Sequence, residues 1–208
     1  MRLVGDRRAP GRGDVQRARL IDAVLELLLS TSIAELSVMQ IAKRAGVTRP
    51  VFYFYFESKY AVLAAALGQV WKKFAAARPL ADSIDLTESP ELLTHNLTRA
   101  AVDIWHEHHA LIAAVVEARA SDAQLARLWD ELVANAGRQV CRVITQLQAD
   151  DRVRPASDNV PKLVDALFGM TVWSLLNAGG SADPAARDEL VDVVSAVWLA
   201  SVWGVPAS

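Results

Sequence analysis

Residues 37–59, SVMQIAKRAGVTRPVFYFYFESK, constrain the fold more than any other stretch of this 208-residue chain. Ser37 suits a helix N-cap, and Gln40 three places later completes a capping-box pattern. The helix so begun carries Val38, Ile41 and Ala42 inward and stops at Ala45-Gly46, where glycine tolerates the left-handed conformation that ends helices. Thr48 caps a third, short helix with Pro50 in its first turn, where a missing N–H does no harm. Two short helices joined at residues 45–47 stand at a steep angle, the geometry of a helix-turn-helix.

Elsewhere the apolar spacing is helical. After residues 1–13, which mix Arg, Gly and Pro and read as a flexible basic arm, Asp14 precedes Leu20, Ile21, Val24, Leu25 and Leu28 on one helix face. Ser58 caps a fourth helix to about residue 77, and residues 79–90 form a polar break. Further helices are expected over about 91–109, 110–119, 122–150, 161–178 and 184–203, separated by polar, Gly and Pro punctuation. The chain therefore reads as all-α with about nine helices. A small unit at 14–60 that carries the helix-turn-helix precedes a larger helical unit at 61–208. The last two helices are apolar on more than one face, with small residues such as Ala196, Ala200 and Ser201 between larger ones. A helix apolar all round must be covered all round, so 161–178 and 184–203 are either central core helices or a homodimer surface, and the small residues that allow close approach favour the homodimer surface.

Charge divides along the same line. Residues 1–60 hold ten Lys/Arg against six Asp/Glu, a balance of +4; the remainder holds twelve against eighteen, a balance of −6. Only the N-terminal part is suited to a polyanion. Within it, Arg49 at the start of the short helix has a planar fork that can take O6 and N7 of a guanine together. Tyr53 and Tyr55 offer hydroxyls to phosphates, and Lys59 is placed for another. A buried aromatic stripe would account for Phe52 and Phe56, which are expected inward, but not for Arg49, Lys43, Arg44 and the two tyrosines around the same helix.

Gly46-Val47-Thr48-Arg49, Tyr53, Phe56 and Ser58-Lys59 closely resemble the Gly-Val-Ser/Thr-Arg-x-x-x-Tyr-x-x-Phe-x-Ser-Lys pattern of the TetR family of bacterial regulators. The resemblance is specific over about residues 15–65. The wording from Arg49 to Phe56 is similar to the EthR-type branch, and weaker similarity extends through Leu128-Trp129 to Trp203-Gly204. It implies that 14–60 is a DNA-binding domain and 61–208 a ligand-binding and dimerisation domain, with a dimer on a palindromic DNA operator and a small-molecule pocket in the C-terminal part. Carried over by position, Ser37, Thr48, Tyr53 and Lys59 would meet phosphates, while Arg49, Pro50, Val51, Phe54 and Tyr55 would face bases. Position 54 or 55 is often His in the family; Phe-Tyr here departs from that. Arg7, Arg8 and Arg12 of the arm could reach a minor groove.

The resemblance also implies a pocket lined by Ala101, Trp105, Val133, Val140, Phe168, Thr171, Leu176 and Trp198, apolar apart from Thr171, and hence a hydrophobic effector. Trp129 reads as core. His106 and His109, three apart beside Glu107 and His108, could share a helix face toward a metal; their place at a helix end accounts for them without one, and no metal or cofactor is expected. An enzyme is disfavoured by the lack of GxSxG, Walker, dinucleotide-binding or HExxH patterns. A non-specific DNA binder would be basic throughout. Without an export signal or a spanning segment, the expected compartment is the cytoplasm.

Overall fold

The computed structural model describes residues 12–77, 89–178, 180–181 and 183–204. Among them are nine helices and no strand: α1 (Arg12–Leu28), α2 (Val38–Arg44), α3 (Arg49–Tyr55), α4 (Lys59–Ala77), α5 (Pro90–Glu107), α6 (His109–Ala118), α7 (Ala123–Ala149), α8 (Val160–Ala178) and α9 (Pro184–Val202). α1 starts at Arg12, so the last two residues assigned to the arm are helical. Arg7 and Arg8 lie outside the described residues, as do most of 79–90.

The expected caps set the boundaries. Ser37 N donates to Gln40 Oε1 at 2.9 Å and Gln40 N donates back to Ser37 Oγ at 3.2 Å, a complete capping box. At the far end of α2, Gly46 has φ of 67°. Gly46 N donates to Lys43 O and Val47 N to Ala42 O, the paired bonds of a Schellman turn. Ser89, Asp122 and Asp183 cap α5, α7 and α9 through side-chain oxygens.

α1 packs on α2 and on α4, and α2 packs on α3, around Leu20, Ile21, Val24, Ile41, Phe52, Val62 and Leu63, each wholly buried. Burial of side chains this size stabilises by roughly 1.5–3 kcal/mol apiece before chain entropy is counted. α4 leaves this head and lies against α6 and α7, and α6 also touches α1. One core consequently runs from Leu20 through Val102, Trp105 and Trp129 to Leu175. A second core lies among α5, α7, α8 and α9, around Leu93, Ile144, Leu147, Val164 and Trp203. α5 lies along α9, where Trp203 Nε1 donates to the buried Thr94 Oγ1 at 3.1 Å and Arg99 pairs with Asp188 at 2.6 Å.

α8 and α9 are not covered all round by the described residues. Trp173 is 69% exposed, and Val193 and Val197 are exposed with it. Ala166, Gly169 and Ala200 lie open on the same two helices.

Candidate functional site

The head presents a short helix whose inward side is fixed by packing. Phe52 and Phe56 are buried, as the alternation of aromatics implies. That leaves Thr48, Arg49, Pro50, Tyr53 and Phe54 exposed on the outer side, with Val51 half-buried at its edge. Thr48 is the N-cap of α3 by backbone, yet its hydroxyl makes no capping bond and is available to an incoming phosphate. The Arg49 guanidinium lies 5.5 Å over the Tyr53 ring, its Nη2 at 3.5 Å from Tyr53 Oη, so the tyrosine steers it. Phe54, 80% exposed, has no intramolecular reason to face water.

Two of the expected DNA contacts are turned inward. Tyr55 is half-buried against the head's core, and its Oη donates to Gln16 Oε1 at 3.1 Å on α1. It braces α3 against α1 rather than pointing outward. Lys59 donates to three backbone carbonyls, Ile33 O at 2.6 Å, Ala34 O at 3.0 Å and Leu36 O at 3.0 Å. All three ammonium protons are thereby committed to the α1–α2 loop. Ser37 also spends its hydroxyl locally, donating to Gln40 Oε1 at 2.6 Å. Of the basic residues on α2, Arg44 is ion-paired with Glu26 of α1. The strict spacing of the motif identifies these positions but not their direction, which depends on loop 29–37 folding back over the start of α4.

In the C-terminal part the expected pocket residues separate. Phe168, Thr171 and Trp198 do meet: the rings are edge-on at 5.7 Å, and Trp198 Nε1 donates to Thr171 Oγ1 at 3.0 Å. Val140 packs with this second core, whereas Trp105, Val133 and Leu176 pack with the first, and Ala101 is half-buried on α5. A cavity of about 530 Å³ opens instead where the end of α5, the end of α8 and the first turns of α9 converge. Of the eight expected positions, Trp105 lines it. Its other walls include Val102, Leu175 and Leu190 and the polar His106 and Arg187. Nothing in the spacing of 184–190 marks Arg187 for this place, because only the crossing of α9 over α5 brings it there.

His106 and His109 do not share a helix face. The chain breaks at His108, which closes α5 and opens α6, and the two side chains fall on different helices. Among the described residues no group of three or more His, Cys, Asp or Glu could hold a metal ion. Cys141 is half-buried against the second core; desolvation, and then the charge of Asp165, raise its thiol above the ordinary range.

Two family descriptions match the sequence. Residues 20–66 match "Bacterial regulatory proteins, tetR family", and residues 95–204 match "Transcriptional regulator EthR, C-terminal domain". The chain belongs to the TetR family and is of the EthR type. It is 28% identical over 206 residues to the regulator EthR of Mycobacterium tuberculosis H37Rv, covering 96% of this chain and 93% of that one. The EthR of Mycolicibacterium smegmatis is 29% identical over 209 residues, with 96% and 92% covered. The fold is shared with a TetR transcription regulator from Haloarcula marismortui (TM-score 0.72, 16% identity, 90% of this chain and 98% of that one). It is shared too with FadR of Bacillus subtilis, solved with stearoyl-CoA (TM-score 0.67, 17% identity, 88% and 98%). This TetR-family protein is thus a DNA-binding transcriptional regulator rather than an enzyme. No helix among its described residues is long and apolar enough to cross a membrane.

Proposed function

We propose that this regulator is a cytoplasmic homodimeric repressor that binds a palindromic operator and is released from it by a hydrophobic small molecule. The observation that carries the DNA reading is the outward set on α3, in which Arg49, steered by Tyr53, stands beside the exposed Phe54 with no core to bury it. Arg49 reads a guanine edge, Pro50, Val51 and Phe54 make apolar base contacts, and Thr48, Tyr53 and the capping box at Ser37 lie along the phosphates. Tyr55 and Lys59 hold the head in shape from inside. The open apolar stripe of Trp173, Val193 and Val197 on α8 and α9 is the dimer surface, which fixes the distance between two α3 helices at about one DNA turn, ~34 Å.

Effector control uses a continuous physical route. α6 packs on both α1 and α4, and it begins at the α5–α6 break beside the cavity. A ligand that favours a different setting of α5 against α9 shifts α6, and with it the separation of the two heads, by its differential affinity for the two states. The stearoyl-CoA complex of the Bacillus subtilis relative supports this reading in that its ligand carries a long apolar acyl chain.

The experiment is selection of duplexes from a random pool. Enrichment of a palindrome, with Arg49→Ala losing about 1–3 kcal/mol on the preferred sequence and little on others, is the expected result. Equal affinity for all duplexes would sink the repressor reading. The alternative of a regulator without an effector is favoured if no apolar compound alters operator affinity.

A further inference from the structure

We propose that Phe54, with Pro50 beside it on α3, reads the 5-methyl group of a pyrimidine, so that operator affinity depends on a thymine methyl and responds to methylation of cytosine. This rests on the operator reading above and deepens it. Phe54 is 80% exposed, although Phe52 and Phe56, two places to either side, are buried. Its ring is nonetheless held. It stands edge-on to Tyr55, with centroids 4.9 Å apart and planes at 88°. Tyr55 is in turn packed on the head's core and bonded to Gln16 at 3.1 Å. An exposed phenyl ring fixed from behind is preorganised for a partner outside the chain.

Pro50 lies four residues before Phe54, hence on the same face of α3, and it too is exposed. Arg49 and Tyr53 form the neighbouring strip, with the guanidinium 5.5 Å over the tyrosine ring. The helix so offers two strips side by side, one polar and cationic, the other without a side-chain donor or acceptor. Pro50 lacks even a backbone N–H. The cationic strip, in a segment where residues 1–60 carry a balance of +4, makes the occupant a polyanion rather than an apolar protein surface.

In the major groove every base edge carries hydrogen-bonding atoms, and the one apolar feature is the C5 methyl of thymine. A phenyl ring laid on a purine N7, an O6 or an exocyclic amine strips water from it and returns no bond. Laid on a methyl, it withdraws apolar surface on both sides. The strip also has the reach for this. Residues 50 and 54 differ by about 6 Å along a helix axis and stacked base pairs by ~3.4 Å, so the strip covers pairs next to the guanine read by Arg49. 5-Methylcytosine carries the same methyl at the same ring position and presents it to Phe54 as thymine does.

The test titrates the full chain, by fluorescence anisotropy, against the palindromic duplex it selects from the random pool. Each thymine of one half-site is replaced in turn by deoxyuridine, which lacks only the methyl. At least one position should lose about four-fold in affinity, the cost of leaving one methyl group in water. At that position T·A→C·G should weaken binding, and 5-methylcytosine in place of the new cytosine should restore about four-fold. Phe54→Ala should abolish both effects and leave the thermal melt unchanged, because the ring it removes is exposed. A selected half-site without thymine, or one whose affinity ignores every uridine substitution, overturns the methyl reading and leaves the operator reading standing. A uridine effect that survives Phe54→Ala does the same. If the pool yields no preferred duplex, the two readings fall together.

Discussion

Replacing Lys59 by Met keeps the length and apolar stem of the side chain and removes three donors at once. Two of the bonds lost, to Ile33 O and Leu36 O, are part-buried, and the third, to Ala34 O, is exposed and readily replaced by water. A hydrogen bond from a charged donor contributes about 1.5–3 kcal/mol, and water will recover part of the two buried ones, so a loss of roughly 2–4 kcal/mol is expected. For a domain of this size each kcal/mol moves Tm by about 2–4 °C, which places the drop at roughly 5–15 °C. DNA binding separates this role from a phosphate contact. A lysine on a phosphate would lower the slope of log K against log salt by about 0.9 per head, whereas an internal strut leaves the slope as it was. Thermal melts and operator titrations between low and moderate salt measure both quantities on one preparation. A variant with unchanged Tm and a reduced salt slope would refute the strut and return Lys59 to the DNA surface.

Three other outcomes follow from particular contacts. Because Cys141 is raised above its usual range, its thiolate is scarcer at neutral pH than that of a free thiol. Alkylation should be slow at pH 7 and rise steeply with pH, and Asp165→Asn should speed it slightly; reaction at the rate of free cysteine would contradict the burial. Trp173→Glu puts a charge on the open stripe of α8 and should yield monomers by sedimentation with the helical content intact, whereas an unchanged mass would place the dimer surface elsewhere. Gly180 has φ of 66° and a Cβ added there would lie 2.5 Å from His109 Cγ, so Gly180→Ala should destabilise by roughly 1–3 kcal/mol from backbone strain alone. A neutral effect in a denaturant titration would mean that the α8–α9 turn does not bear on the α5–α6 break.

The helices were legible in the sequence because their signals are local. Ser37 with Gln40, Gly46, Ser58 and Asp183 act within one turn of themselves, and the periodicity of residues 20–28 needs no distant partner. For the same reason Phe52 and Phe56 could be assigned inward and Arg49 outward. The histidine pair shows the limit of local reading, since a break displaced to His108 was enough to put His106 and His109 on different helices. The pocket positions show a different limit. Their spacing on α5, α7, α8 and α9 is compatible with one lining, but the crossing of those helices divides them between two cores.

The sequence by itself determined that this chain is helical, that residues 37–59 form a reading head, and which side of α3 meets the core. Tertiary structure alone decided the direction of Lys59, the bracing of Tyr55 on Gln16, and the placing of Arg187 and Trp105 around one cavity. Caps and periodicity act over a few residues along one helix. A donor's partner or a cavity's wall is set by side chains tens of residues away, and their distance in space follows only from how the helices pack.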